Sequence, residues 1–484
     1  MVRVNDLAEK TTAVAAWDEL VLIDSEDSDK TKRIAATEFK WDTWDTGATW
    51  PQGDPWLDWG AYYDCIVADD WSWDYTLVED AIDDGNFRIF VKSGTYNEVR
   101  QWRLSEWDLS NNYPKYVIQW CGNSTIINMT FDDNEKIDLS GDSDNQMFEI
   151  RDMQFNVTLW NEDWGDNYFI SASSYKGILE NLNINVTIDN TYTQDCVIIN
   201  GWKDTVIRNC LIEESNEWRS TWNVTTLEWG SYYNCEINLW RMKLSPDYVY
   251  ACEIYGSCVS TAPVTKVVSS DYYLEIYADA NINFNDVTNS DINCRIKSNT
   301  GTTQEIDMNN ISNSYISIED STSWALDGTT TIDKFENLTN CRINIEAPAD
   351  ISWGQRINSS SIDLYSTYTT THRTNSTYTS FVDCSFDDGN TSSTFLVENL
   401  WFRFVWGFLK VKWWMTISTN YAVLTWINYF DCPITVTSDY NSIYWNTNCD
   451  SVTFNSWADS NVCIWNTSID VTDNWASNQV ANNT

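Results

Sequence analysis

The chain has 484 residues, with 29 Lys and Arg against 71 Asp and Glu, which gives a formal net charge of -42 at pH 7. This length suffices for two or three domains with a large core, and the charge argues against a nucleic-acid partner or an anionic membrane surface. No apolar stretch of about 18 residues is present, and the N-terminus lacks the basic start and apolar run of a signal peptide, so neither membrane insertion nor a secretory leader is expected.

The cysteine and histidine content argues against a metal centre. The 13 cysteines are spread without C-x-x-C pairs, and His372 is the single histidine. A zinc site and a histidine-based catalytic triad are therefore not expected, and there is no phosphate-binding loop or Gly-rich dinucleotide turn. We expect neither a metal nor a cofactor.

The first segment, residues 1–40, carries a spaced pattern of residues. They are Asp6, Leu7, Thr12, Asp18, Glu19, Leu20, Ile23, Asp24, Lys32 and Ile34. This pattern resembles the N-terminal segment of many phage tail fibres and tailspikes, and the resemblance implies attachment of the fibre to the virus particle and contact there with other tail proteins. The alternative is a small strand-turn-strand cap.

Residues 41–60 carry a strict period of three. Trp or Gly occupies every third position of WDTWDTGATWPQGDPWLDW, at Trp41, Trp44, Gly47, Trp50, Gly53, Trp56 and Trp59. A collagen triple helix requires Gly at every third position because no larger side chain fits at its axis. The pattern is that of a collagen-like stalk with Trp at Gly positions, and a chance Trp-rich loop is the alternative.

The composition supports a decoding explanation for this pattern. The chain has 29 Trp and only 17 Gly, whereas average Gly usage is roughly 7%. We therefore hypothesise that the source decodes UGA as glycine and that the printed translation assigned UGA to Trp. With Gly at these positions the stalk requires three chains, so a homotrimer is predicted.

The segment from Tyr62, after the stalk, reads YDCIVADDWSWDYTLVEDAIDDGNFRIFVKSGTYNE. It resembles the entry into pectate-lyase-like right-handed parallel β-helices. The resemblance implies a short capping helix over 77–82, a strand over 87–91 and a turn at 93–94.

A short strand motif, N-C-x-I-x, then recurs along the body. Its second positions are separated by 17 to 29 residues, which is the spacing of a solenoid. The predicted fold is all-β, a right-handed parallel β-helix over 61–398, followed by β-rich coils over 399–484 that form a cap or trimer contact. The second positions are residues 153, 182, 210, 235, 252, 274, 294, 314, 341, 360 and 384.

The second and fourth motif residues lie on one face of the strand because side chains alternate. That face carries Cys, Leu or Ser followed by Ile or Phe. We therefore predict that the cysteines form a buried ladder of free thiols rather than a disulfide framework.

The outward face of four neighbouring coils carries the candidate site. Alternation predicts a strip of three carboxylates beside two tyrosines, ending at two cations. Paired carboxylates on adjacent coils approach the spacing of a glycosidase acid and base, and the tyrosines offer a platform for sugar rings. The alternative is a solvated face of an acidic protein. The candidate catalytic residues are Glu236, Glu253 and Glu275, and the candidate glycan-binding residues are Tyr255, Tyr277, Arg295 and Lys297.

The attachment-like segment, the stalk and the β-helix together resemble a phage tail fibre or tailspike. The resemblance implies a receptor-binding structural protein of the virion, made in the host cytoplasm, that recognises a host-surface polysaccharide. The first alternative is a tailspike depolymerase that hydrolyses or eliminates that glycan. The second alternative is a bacterial surface adhesin.

Overall fold

The structure is a computed structural model, and it describes most of the chain from residue 63 together with two earlier strands. The described residues are 19–23, 31–35, 63–70, 72–98, 102, 115–120, 125–131, 137–138, 147–159, 167–171, 176–188, 196–200, 205–215, 225–228, 230–258, 262–264, 266–276, 281–297, 304–320, 330–346, 349–364, 371–374, 378–388, 394–398, 401–411, 414–431, 433–447, 450–464, 466–467, 470–474, 477–481 and 483.

The chain divides into two units, Met1–Trp59 and Gly60–Thr484. In the first unit, β1 (Glu19–Ile23) and β2 (Thr31–Ala35) form an antiparallel pair with Glu19 opposite Ala35. This pair agrees with the strand-turn-strand interpretation of residues 1–40. The predicted stalk, residues 41–60, lies outside the described residues.

The second unit is a parallel β-helix solenoid, as predicted, and every pairing among its described strands is parallel. Its strands form three stacks, and several long strands run from one stack into the next. The first stack comprises β3 (Cys65–Val67), β4 (Arg88–Val91), β6 (Lys115–Trp120), β9 (Met147–Arg151), β12 (Lys176–Glu180), β15 (Val206–Arg208), β18 (Ser231–Tyr233), β20 (Tyr248–Tyr250), β23 (Val267–Val268), β26 (Val287–Thr288), β31 (Leu338–Thr339), β34 (Arg356–Asn358), β37 (Tyr378–Asp388), β39 (Trp401–Val411), β41 (Val423–Asp431), β43 (Ser442–Tyr444), β45 (Val462–Ile464) and β47 (Gln479–Ala481).

The second stack carries the repeated motif. It comprises β5 (Gly94–Glu98), β7 (Thr125–Phe131), β10 (Gln154–Leu159), β13 (Asn183–Ile188), β16 (Leu211–Glu214), β19 (Glu236–Ser245), β21 (Glu253–Cys258), β24 (Asp271–Ile276), β27 (Asp291–Ile296), β29 (Tyr315–Asp320), β32 (Arg342–Glu346), β35 (Ser361–Leu364) and the later parts of β37, β39 and β41.

The third stack completes each coil. It comprises β8 (Ile137–Asp138), β11 (Asn167–Ser171), β14 (Cys196–Asn200), β17 (Thr225–Glu228) and the end of β19, followed by β22 (Ala262–Val264), β25 (Asn281–Asn285), β28 (Gln304–Asn309), β30 (Thr330–Glu336), β33 (Ala349–Trp353), β36 (Thr371–Thr374), β38 (Thr394–Val397), β40 (Trp414–Ile417), β42 (Pro433–Val436), β44 (Ser451–Phe454) and β46 (Asp470–Asp473).

A short helix, α1 (Val78–Asp83), lies between β3 and β4, one residue later than predicted. The Glu98 carboxylate accepts hydrogen bonds from the backbone N–H groups of Val78 and Glu79 at 2.8 and 3.3 Å, and from Trp102 Nε1 at 3.3 Å. These bonds satisfy N–H groups that a helix N-terminus leaves unpaired. Burial raises the pKa of Glu98.

A left-handed backbone residue precedes the motif strand in coil after coil, and we call this series the left-handed ladder. Several Asn members are joined by a side-chain amide that donates to the Asn of the neighbouring coil, as from Asn209 to Asn181 at 3.1 Å. From Asp152 to Asp383 the ladder has φ values between 47° and 61°. Its residues there are Asp152, Asn181, Asn209, Asn234, Ala251, Ser269, Asn289, Asn313, Asn340, Ser359 and Asp383.

The residue after each left-handed residue points into the core, as the motif predicts. Cys252 and Ser270 are buried at this position on neighbouring coils, and the Cys252 N–H donates to Ser270 Oγ at 3.2 Å. The two predicted second positions at 274 and 294 are wrong: Ser270 and Ser290 hold that place. Leu274 and Cys294 are also buried, one inward position further along the same strands.

The cysteine ladder is confirmed as buried free thiols. The described cysteines Cys65, Cys210, Cys235, Cys252, Cys258, Cys294, Cys341, Cys384 and Cys463 are buried and free.

Thiol labelling tests this arrangement. Burial raises the pKa of the Cys294 thiol to about 12 and that of Cys384 to about 11, and only the thiolate attacks a disulfide reagent. We expect an aromatic disulfide reagent to leave both thiols unmodified in the folded protein at pH 8 and to modify both after unfolding, as mapped by peptide mass spectrometry. Asp291→Cys, on the outward face of the Cys294 strand, is the control and should react in the folded protein; modification of native Cys294 would contradict the assignment.

Candidate functional site

Four carboxylates lie in one outward column across β19, β21, β24 and β27, and we call them the acid column. The register places Glu236 opposite Glu253, Glu253 opposite Asp271, and Asp271 opposite Asp291. Neighbouring strands are about 4.8 Å apart, so each carboxylate faces a like charge on the next coil. The column is solvent-exposed except at Asp271, which is half-buried.

Two tyrosines stack beside the acid column, and we call them the tyrosine pair. The rings of Tyr255 and Tyr273 have centroids 4.9 Å apart and an interplanar angle of 4°. The Tyr255 hydroxyl donates to Glu253 Oε2 at 3.1 Å. The parallel rings form a flat aromatic surface fixed to the acid column by this bond.

A groove of about 370 Å³ follows the tyrosine pair along the same strands. Its outward lining consists of Tyr273, Glu275, Asn293, Arg295, Ser317 and Glu319. The register places Arg295 between Glu275 and Glu319, one strand from each. Lys297 Nζ lies 3.1 Å from Glu275 Oε1, and Ser317 Oγ donates to Glu319 Oε1 at 3.4 Å.

The electrostatics of the acid column raise the pKa of Asp271. Partial burial is the largest cause, and the negative charges of Asp291 and Glu253 add to it. The pKa of Tyr255 is also raised, first by loss of hydration and then by its hydrogen bond to the Glu253 carboxylate. Asp271 is therefore the carboxyl of this column most disposed to hold a proton.

The structure brings part of the predicted strip together. Glu236 and Glu253 are neighbours, as predicted, and Arg295 lies beside Glu275. The predicted stacking of Glu275 on Glu253 is wrong, because Glu275 lies opposite Ser257 and Asp271 takes the place beside Glu253. Tyr273, rather than Tyr277, stacks on Tyr255, and Tyr277 lies outside the described residues.

These errors have one cause, a shift of four residues in the motif alignment at two coils. The strands β24 and β27 are long enough to have three inward residues each, Tyr272, Leu274 and Ile276 in the first. The sequence-based alignment placed the last inward pair of each strand at the motif positions, which belong to residues nearer the start of the strand. The segment Asn289-Ser290-Asp291-Ile292 carries the motif with Ser in place of Cys, and this signal identifies Asp291 as a member of the column.

The single histidine lies away from the groove. His372 is buried, its ring stacks on Phe395 with centroids 5.6 Å apart, and its Nδ1 accepts a bond from Trp353 Nε1 at 3.4 Å. Among the described residues no group of three or more His, Cys, Asp or Glu is arranged to hold a metal ion. Within that same part of the chain, no helix has the length and apolar character needed to cross a membrane.

No protein family, curated protein or solved structure matches this chain.

Charge neutralisation in the acid column tests its electrostatics. Because the pKa of Asp271 is raised in the folded state, its ionised form lowers the free energy of unfolding. This destabilisation is absent below the pKa of the unfolded state, about 3.9, and complete above the pKa of the folded state. We expect Asp271→Asn to raise the melting temperature at pH 7 and to have no such effect at pH 3. Asp470→Asn is the matched control, because Asp470 is exposed and lies opposite Ser451 rather than another carboxylate. A lower melting temperature for Asp271→Asn at pH 7 would contradict the repulsion.

Proposed function

We propose that this chain is a receptor-binding fibre protein of a virus particle, and that it binds a host-surface polysaccharide through the groove and the tyrosine pair. In this proposal residues 1–40 attach the fibre to other tail proteins. Residues 41–60 form a collagen-like stalk that joins three copies. The β-helix then presents the groove at the particle surface.

The observation that carries the proposal is the parallel Tyr255–Tyr273 pair beside a polar groove. Sugar rings present apolar C–H faces and polar hydroxyl edges. Aromatic rings pack against the apolar C–H faces. Carboxylates accept hydrogen bonds from the sugar hydroxyls, and a guanidinium donates hydrogen bonds to the ring and linkage oxygens. Tyr273, Glu275 and Arg295 line one groove with all three chemistries. A pocket with an apolar surface and a few convergent polar groups is the usual form of a small-ligand site.

Removal of one ring tests the binding surface. We expect Tyr273→Ala to weaken binding to purified host capsule or O-antigen about tenfold or more, because a central aromatic contact contributes at least about 1.4 kcal/mol. Tyr378→Ala is the matched control, since Tyr378 is an exposed tyrosine on another strand. Isothermal titration or surface plasmon resonance gives the affinities. Equal affinities for Tyr273→Ala and the unmodified chain would exclude this groove as the glycan site.

A second candidate function is cleavage of the same glycan. Glu275 and Glu319 lie two strands apart with Arg295 between them, a backbone separation of roughly 9–10 Å from the strand spacing. Inverting glycosidases hold their acid and base roughly 6.5–9.5 Å apart to admit a water. The raised pKa of Asp271 offers a second acid on the other side of the tyrosine pair.

Product analysis separates cleavage from binding alone. If the chain is a hydrolase or lyase, incubation with host polysaccharide releases reducing ends or unsaturated uronate, and Glu275→Gln or Glu319→Gln abolishes the release while binding persists. Asp470→Asn, an exposed carboxylate opposite Ser451 on the last coils, retains the release. Absence of any release with a polysaccharide that the chain binds would reject the enzymatic alternative and leave the binding function intact.

A further inference from the structure

The left-handed ladder does not end at Asp383. The register between β37 and β39 places Trp406 opposite Asp383, because Val382 pairs with Val405 and Cys384 pairs with Gly407. The next two coils continue the series with Trp426 and Trp445. The φ angles of these three tryptophans are 59°, 58° and 55°, within the range of the preceding eleven residues.

Trp is a poor residue for this position. A β-carbon crowds the backbone in the left-handed region, so Gly adopts it freely and Asn and Asp adopt it more readily than bulky residues do. Earlier in the ladder the residues are Asn, Asp, Ser and Ala. The coil therefore imposes the left-handed conformation, and Trp406, Trp426 and Trp445 adopt it despite their side chains.

These indoles also contribute little to the core. Their side chains are on the outside of the solenoid, 61%, 48% and 39% exposed, and their rings lie against one another with centroids 6.3 and 4.7 Å apart. Trp353 shows the contrast: it is fully buried, its φ is not positive, and its ring stacks on Phe335 at 5.3 Å. A tryptophan in the core thus packs as an aromatic residue, whereas the three ladder tryptophans occupy turn positions suited to glycine.

We propose that residues 406, 426 and 445 are glycine in the natural protein, and that UGA codons at these positions are read as glycine. The period of three in residues 41–59 points to the same exchange on independent grounds, since those Trp also stand where only Gly fits. The recoding therefore extends through the β-helix and is not confined to the stalk.

The proposed recoding requires a particular tRNA in the cell that makes the protein. A full-length chain with glycine at these positions is made only in a cell with a glycyl-tRNA that reads UGA, because UGA terminates translation in the standard code. If the chain is a viral fibre, as proposed above, the cell that bears its receptor glycan is also one that decodes UGA as glycine. The exposed row of Trp406, Trp426 and Trp445 is then absent from the natural protein and serves as neither a glycan platform nor a subunit contact.

Peptide mass spectrometry of the protein from its natural source tests the proposal directly. Peptides spanning residues 401–450 are expected to contain Gly at 406, 426 and 445. Tyr421 and Tyr440 are the internal control. They are also left-handed, with φ of 66° and 60°, but UGA does not encode tyrosine, so reading UGA as glycine leaves them unchanged. They are expected to remain Tyr. Trp at 406, 426 and 445 would overturn the proposal and would leave the glycan-binding test unaffected.

A recombinant comparison gives a second, independent measurement. The chain with Trp406→Gly, Trp426→Gly and Trp445→Gly together is expected to melt at a higher temperature than the chain as printed, because it releases three strained turns. Trp353→Gly is the control and is expected to lower the melting temperature by emptying a core position. A lower melting temperature for the triple variant, or a higher one for Trp353→Gly, would overturn the distinction between ladder and core tryptophans.

Discussion

The left-handed residue before each motif strand is the constraint on which the rest of the solenoid depends. A parallel β-helix must turn at the same place in every coil, or its strands cannot remain in register. A non-glycine residue in this conformation costs about 1 kcal/mol or more, and the Asn members recover part of this through side-chain bonds between coils, as from Asn340 to Asn313 at 2.8 Å. The turn thus fixes the position of the following strand relative to its neighbour.

From Cys210 to Cys384 the inward residue after each turn is Cys or Ser, a small residue that satisfies its own polar atom. Ser290 does so by accepting from the Ser270 N–H at 3.2 Å and donating to the Thr288 carbonyl at 2.9 Å. Cys341 donates in the same way to the Thr339 carbonyl at 3.4 Å. Cys and Ser are therefore equivalent in size and in hydrogen bonding at this position, which explains both the odd number of thiols and the absence of disulfides among the described cysteines.

This equivalence also explains how far the sequence predicts the structure. The period, the all-β class and the inward face followed from the repeated Cys–Ile pair, because packing selects those residues strongly. The register at Ser270 and Ser290 did not, since the later inward pairs on the same strands, Leu274–Ile276 and Cys294–Ile296, imitate the motif. The outward residues Asp271 and Tyr273 were missed for the same reason. Packing does not select the residues of the solvated face, so which outward residues are neighbours follows only from a correct inward register.

The same register decides what the groove can do. A solenoid holds the side chains of Glu275, Arg295 and Glu319 on consecutive strands whose positions are set by the core. In the proposed function a bound sugar therefore meets groups that are already in place. Binding then costs less conformational entropy than it would on a loop.

The charges of the outward residues separate the two candidate functions. Lys297 Nζ lies 3.1 Å from Glu275 Oε1, and a carboxylate in this place suits an acceptor of hydroxyl hydrogen bonds or a base. Cleavage requires in addition a carboxyl that keeps its proton near neutral pH. The surroundings of Asp271 raise its pKa, and Asp271 stands on the far side of Tyr273 from Arg295. Under the proposed function, a glycan would have to cross the tyrosine pair to meet both groups, so the width of the sugar chain over Tyr255 and Tyr273 would separate binding alone from cleavage.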